Sequence, residues 1–324
     1  MSRTITTVKP GLQTCVQELP GREGFLEQGF PLSGPFDAWS FRQANILVGN
    51  DRDTAALECQ FMGPTLTFDA DMLIAVTGAD MSPALDGAPI PMYATVAVSA
   101  GQTLTMGFAK TGARAYLAVS GGIATEPVLG SRAVFHQAGV GGHALIAGQT
   151  LPVGVSETSA LYVLPESARP VIGTDRVWEV EALCGPNDDW LDEATIEMFF
   201  STDWQIQTKS SRTGIRLTGP DFGFSDKALN KSPDHGQDPS NIIDHGYPMG
   251  AVNLAGQTPI ILVNDAPSTG GFINPFTIAS AAFWKLAQAK PNETLRFRRV
   301  DRDGAAALRA EIDAKTKPEI LENA

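Results

Sequence analysis

Short runs in which apolar and polar residues alternate, broken every few positions by glycine or proline, dominate the chain. The alternation is the period of a half-buried strand. It predicts strands at 5–8, 13–19, 57–61, 66–68, 73–77, 94–98, 103–108 and 113–119, with Asp86-Gly87 as a hairpin turn. Helical spacing is rare. Asp37 is placed to cap a helix running to about Val48, with Phe41, Ala44, Leu47 and Val48 on one side, and Asp192 caps a second holding Ile196, Phe199 and Phe200. Residues 165–176 are polar, carry two prolines and follow neither period, so they read as a linker. Beyond it, Trp178-Glu179-Val180-Glu181-Ala182-Leu183 begins a second β-rich half, followed by strands around Arg216, at 259–263 and at 294–300, a loop at 220–239 and a helix near 279–288. The two halves share one plan, strands with glycine-rich turns and a capped helix, which suggests two similar barrels in tandem.

Composition narrows the class. The 324 residues are 43% hydrophobic, enough for a large core, and 32 glycines and 22 prolines are spread as punctuation rather than gathered into one tract. A formal net charge of -12 supplies no basic stripe for phosphates, so nucleic acid is not an expected partner. Cys15, Cys59 and Cys184 are odd in number and widely spaced, which fits buried thiols better than disulfides or a zinc site. No apolar run approaches the ~20 residues of a membrane span. No secretion signal is apparent behind Met1, so a cytoplasmic protein is expected.

One segment stands out. Pro259-Ile260-Ile261-Leu262-Val263 reads as a buried strand, and Asn264-Asp265-Ala266-Pro267-Ser268-Thr269-Gly270-Gly271-Phe272 crowds its exit with more polar groups than a turn needs. Glycine there lets a ligand approach the backbone. Three other segments carry candidate chemistry. Ser33-Gly34-Pro35-Phe36-Asp37 is either a helix cap with a turn or part of a site. Arg212 and Arg216, four apart in a strand-like context, are expected on one face, one to bind an anion and the other to pair with a surface carboxylate. The loop 238–247 offers Asn241, Asp244, His245 and Tyr247, and reads equally as a site or as solvated surface. His136, His143, His235 and His245 lack metal-ligand spacing, and no metal is expected.

Many ordered motifs in residues 5–300 resemble one family. Gly21-Arg22-Glu23-Gly24-Phe25, Ser33-Gly34-Pro35-Phe36-Asp37, Ser40-Phe41-Arg42-Gln43-Ala44-Asn45, Gly63-Pro64-Thr65-Leu66, Thr77-Gly78-Ala79-Asp80-Met81 and Leu129-Gly130-Ser131-Arg132 are similar to the allophanate hydrolase subunit 2 family. Arg212-Thr213-Gly214-Ile215-Arg216-Leu217, Pro239-Ser240-Asn241-Ile242 and 265–272 resemble one branch of it, the carboxyltransferase domain of urea carboxylase, part of urea amidolyase. The resemblance implies a mainly β fold of two tandem cyclophilin-like β-barrel domains with a few short helices. The expected boundaries are 1–165 and 176–302, with a surface helix and tail at 303–324.

It also implies a function. Such a chain would transfer carboxyl from carboxybiotin, held on a separate biotinyl carrier protein, to the nitrogen of a small urea-like amide or amidine. It would work with a subunit 1 type homologue, as a heterodimer or larger heteromer, and with a biotin carboxylase, ATP entering only through a partner subunit. Asp244 and Asp265 would accept substrate N–H groups, and either could be the base. Arg212 would hold the carboxylate or ureido oxygen. Asn241, His245, Tyr247 and Ser268 would bind substrate beside the backbone of Gly270 and Gly271, with Ser33 and Asp37 contributing from the first half. The chain departs from the urea-enzyme pattern at Phe36, at His245-Gly246-Tyr247-Pro248-Met249 and at 263–269, notably Asn264 and Thr269, which points to a changed substrate. Two alternatives remain: a subunit of an ATP-dependent amide hydrolase of the 5-oxoprolinase type, and a non-enzymatic regulator of a subunit 1 homologue.

Overall fold

The computed structural model describes residues 3–324, and the chain divides into two compact units. Unit 1 runs to Glu23, continues from Ser33 to Thr174 and takes in Glu311–Ala324; unit 2 holds Gly24–Leu32 and Asp175–Ala310.

In unit 1 the strands form two main sheets. One orders Thr150–Val153, Arg3–Lys9, Thr65–Phe68, Thr103–Thr105, Ala84–Leu85 and Ala88–Pro89; the other orders Gln13–Gln17, Ala56–Gln60, Arg114–Val119, Met72–Gly78 and Val96–Val98. Every residue of Met72–Gly78 and Arg114–Val119 is buried, because both of their faces are covered. Ile74, Val76, Leu117 and Val119 pack with Ile5, Leu66, Phe68 and Leu104, while Ala75, Tyr116 and Ala118 meet Phe41, Ala44 and Leu47 of the helix Ala38–Leu47. Asp37 caps that helix by accepting from Ser40 N at 2.9 Å. Asp86 and Gly87 both take positive φ in the tight hairpin joining Ala84–Leu85 to Ala88–Pro89. Pro89 ends this sheet, since it has no N–H to extend the ladder.

Unit 2 contains a closed barrel of seven strands in the order Val177–Cys184, Phe276–Ile278, Ala251–Ala255, Thr258–Leu262, Gly214–Thr218, Asp203–Ile206, Thr294–Arg299. Closure comes from a parallel pairing of Val177–Cys184 with Thr294–Arg299. Phe199, from the helix Glu193–Ser201, stacks on Phe276 and Phe297 with ring centroids 3.7 and 4.4 Å away. Asp192 caps this helix through Thr195 N at 2.7 Å.

Two tandem barrels are thus corrected to one among the described residues. In unit 1 the strands end in open edges instead of closing. No helix of the described residues is long and apolar enough to cross a membrane.

Candidate functional site

The strand Thr258–Leu262 leaves the barrel into Val263, Asn264 and Asp265, all buried. Asp265 is held by Arg212: Nε donates to Oδ2 at 2.9 Å and Nη2 to Oδ1 at 3.4 Å, and Asp265 N donates to the Arg212 carbonyl at 2.8 Å. The forked guanidinium matches the two carboxylate oxygens, and the pair is nearly out of solvent, with side chains 6% and 3% exposed. The expectation that Arg212 and Arg216 share a face is corrected. The strand begins only at Gly214, so Arg212 sits in the bend before it and turns inward while Arg216 is exposed.

The loop ahead of this exit is a two-stranded antiparallel ribbon, Asn241–Gly246 against Thr269–Phe272, with a register shift between Asn241 and His245. Its side chains mostly brace the ribbon. His245 Nε2 lies 3.0 Å from the Phe272 carbonyl, and Tyr247 N donates to Ser268 O at 2.7 Å. The Tyr247 hydroxyl accepts from Phe272 N at 2.6 Å. Its ring lies so close to Gly270 that a Cβ there would fall 2.4 Å from Cε2, which is why this position has no side chain. At Gly271 an added Cβ would meet the Ile242 carbonyl at 3.1 Å. Asn241 gives its carbonyl to Lys231 Nζ at 2.6 Å, and its amide packs against Gly236. Asp244 is exposed, and among the described residues nothing pairs with its carboxylate. Burial pushes the Tyr247 phenol above its ordinary pKa and the Asp244 charge adds to this, against hydrogen bonds from Phe272 and Asn253.

A pocket of about 80 Å³ opens in unit 2 beside the strand exit. Tyr247, Pro248 and Met249 form one wall, and Asn264 with Ala266 and Pro267 another. The third comes from the segment Gly24–Leu32, a strap within unit 2, through Leu26, Pro31 and Leu32. Ser268 Oγ donates to the Leu26 carbonyl at 2.9 Å and ties strap to exit loop. Asn264 and Ala266 therefore line the pocket, whereas the intervening Asp265 faces Arg212.

Ser33 and Asp37 belong to unit 1. Ser33 is buried with φ at 57°, a left-handed conformation uncommon for a residue with a side chain. Asp37 takes hydrogen bonds from Ser40 N and Oγ, the latter at 2.6 Å. Its own N–H donates to Tyr116 Oη, which in turn donates to Glu58 Oε2, both at 2.8 Å. Glu58 also accepts from Phe36 N at 2.8 Å and lies 3.5 Å from Arg114 Nε. Burial, with Glu58 and Asp37 adding their charges, drives the Tyr116 phenol far above its ordinary value.

Residues 28–299 match the family described as carboxyltransferase domain, subdomain A and B. The chain belongs to this carboxyltransferase family. It is 36% identical over 318 residues to the urea amidolyase of Saccharomyces cerevisiae, which covers 95% of this chain but 17% of that protein. It is 33% identical over 295 residues to a subunit of the Escherichia coli 5-oxoprolinase, covering 90% of this chain and 89% of that one. The crystal structure of the K. lactis urea amidolyase superposes with a TM-score of 0.91 at 34% identity, over 99% of this chain and 20% of the other. The family resemblance read in the sequence therefore holds.

Sequence reasoning missed several parts of this carboxyltransferase chain. The strap begins in a family motif at Gly24 and Phe25, but only its spatial position gives Leu26, Pro31 and Leu32 a role. Asn253 and Asn274 are buried polar residues of the barrel, joined by Asn253 Nδ2 donating to Asn274 Oδ1 at 2.5 Å, and Asn274 N donates to Asn187 Oδ1 at 2.8 Å. An asparagine inside an otherwise apolar strand such as Ala251–Ala255 is the signal that could have found the first of them. Glu58, Arg114 and Tyr116 lay in segments that carry the family resemblance, but no role was read for them.

Proposed function

We propose that the chain is the carboxyltransferase component of a biotin-dependent, urea carboxylase-like system, acting on a urea-like amide or amidine together with a subunit 1 type partner. A biotin carboxylase and a biotinyl carrier protein would complete the cycle, with ATP used only in a partner. The observation that carries this reading is the buried Arg212–Asp265 pair at a strand exit whose next residues line a pocket, in a chain of this family.

The pocket offers a carboxylated ureido donor the amide of Asn264 and walls free of charged side chains, while the Arg212 guanidinium lies outside the lining, fixed by Asp265 behind the strand exit. Bound there, the donor would supply the carboxyl group to the substrate nitrogen, and the N–H proton lost by the substrate would return to the donor nitrogen. Asp265 holds the Arg212 guanidinium at the back of the strand exit, and its positive charge would favour the donor carboxylate through the loop that this pair fixes. Asp244, uncommitted and close enough to influence Tyr247, accepts and returns the proton. Asn264 orients the substrate amide. His245, Tyr247, Ser268, Gly270 and Gly271, with Asn241, hold the ribbon and the pocket in shape. Reconstitution of the chain with its partner, biotin carboxylase and carrier protein, followed by transfer of labelled bicarbonate carbon to urea, guanidine and simple amides, tests the reading. Labelled product supports it, and its absence with every acceptor overturns it.

A second reading rests on the match to the 5-oxoprolinase subunit, which spans nearly the full length of both chains. On that reading the chain serves an ATP-dependent amide hydrolase. ATP turnover coupled to lactam opening, with no dependence on biotin, distinguishes it.

A further inference from the structure

We infer that His235 is a positioning residue: through the backbone N–H of Ile243 it holds the bulge that presents Asp244. The inference rests on the carboxyltransferase reading, which gives Asp244 the proton, and adds the residue that places it.

The ribbon by itself does not fix Asp244. Asn241 pairs with Phe272 and His245 with Gly270, so four steps along one strand meet two along the other. Ile242, Ile243 and Asp244 therefore bulge out of register, an arrangement that re-aims a side chain and loses ladder bonds. Packing does not hold them either, since Ile243 is 56% exposed and Asp244 is exposed as well. The hold comes from the loop ahead of the ribbon. Ile243 N donates to His235 Nδ1 at 3.2 Å, while Lys231 Nζ donates to the Asn241 carbonyl at 2.6 Å and also to the carbonyl of Asp238. His235 is seated in turn: its ring lies against Trp190 with centroids 5.5 Å apart, and Trp190 is buried at the end of the single 3-10 turn Asp188–Trp190. A buried indole thus places an imidazole, the imidazole places one backbone amide, and the next residue is Asp244. The bond depends on the charge of the ring. A neutral imidazole protonated at Nε2 offers a lone pair at Nδ1, whereas an imidazolium carries N–H at both positions and opposes the Ile243 N–H. The charged groups around it are Lys227 and Lys231, which both lie over Trp190, Asp189 paired with Lys227, Asp234 and Asp238 of its own loop, and Asp244 on the ribbon.

The test compares the full chain with His235→Phe and His235→Asn, by amide exchange at Ile243 read by NMR and by carboxyl transfer in the reconstituted system. The phenylalanine variant keeps a ring against Trp190 and removes the acceptor. The asparagine variant sets an oxygen near the place of Nδ1 and does not titrate. In His235→Phe, protection of the Ile243 amide and kcat should each fall roughly 2- to 10-fold, the worth of one hydrogen bond, with KM little changed. His235→Asn should restore most of both. In the wild-type chain, Ile243 protection should drop as pH falls from about 8 to 5, where histidines change charge, and His235→Asn should lack this step. Unchanged Ile243 protection in His235→Phe overturns the inference. So does an equal loss in both variants, which would leave His235 only its packing on Trp190, and so does full kcat once protection is gone. Should neither variant fold, the wild-type pH step decides: its presence supports the inference and its absence overturns it. The expected behaviour of Ile243 with no carboxyl transfer to any acceptor would sink the carboxyltransferase reading and leave the hold of His235 on the bulge standing.

Discussion

Unit 1 and unit 2 each bury carboxylates, and they put them to different use. Glu58 and Asp37, 2% and 0% exposed, are surrounded by backbone amides, a tyrosine hydroxyl and a serine, with Arg114 beside Glu58. Every one of those bonds fixes the elbow 33–37 or the start of the helix behind it, and no residue of the network lines the pocket. Asp265 is buried as deeply but is clasped by one guanidinium, and the residues on either side of it open onto a pocket. A buried acid by itself records the cost of holding chain in place. It marks a candidate site when the backbone it braces also shapes a cavity.

The contrast can be broken in several places. The largest effect is expected at the exposed acid of unit 2. Asp244→Asn should slow carboxyl transfer by roughly 10²–10⁴-fold, the usual worth of a positioned proton acceptor, while the melting temperature stays put. Full transfer by that variant would move the role to Asp265. Next comes Arg212→Ala, which strands a buried carboxylate and should cost about 3–5 kcal/mol in denaturant titration. The double variant with Asp265→Ala should recover part of that loss, since the unpaired charge is then gone. In unit 1, Tyr116→Phe removes a hydroxyl that serves both Asp37 N and Glu58, for about 1–3 kcal/mol of stability, with amide binding in unit 2 unaltered.

The smallest effect concerns Glu181, a buried acid within the strand Val177–Cys184 of the barrel. Burial pushes its carboxyl up, but hydrogen bonds and charge from Lys285, with Arg298, outweigh this and hold it below the ordinary value. On acidification the unfolded chain takes up this proton first. The stabilisation is therefore complete above the ordinary carboxylate pKa and is lost as pH falls through the lower folded-state value. Glu181→Gln should flatten the acid end of a stability–pH curve and leave its slope near neutrality unchanged.

Much of this was legible in the sequence, and the failures have physical causes. Alternation located strands such as Arg114–Val119, and both helix caps, Asp37 and Asp192, stood where local chemistry put them. Barrels were expected in both halves, but which half closes did not show, because closure depends on the register between strands far apart in the chain. The two halves look alike in pattern, yet among the described residues only one set of strands closes. At the candidate site, the crowding after Val263 was visible. The partner of Asp265 was not, being 53 residues away, and periodicity misplaced Arg212 because it precedes its strand. The strap was invisible for a simpler reason: leucine and proline in a loop carry no chemistry until a fold sets them against a cavity.

The parallel seam of the barrel has a consequence for synthesis. Val177–Cys184 waits for Thr294–Arg299, which leaves the ribosome over a hundred residues later. Until then the nascent chain holds an unpaired strand edge, which is the kind of surface that templates aggregation. Folding of this unit is thus tied to completing its last strand, and a message truncated before codon 294 would yield a product that is insoluble or bound to chaperones.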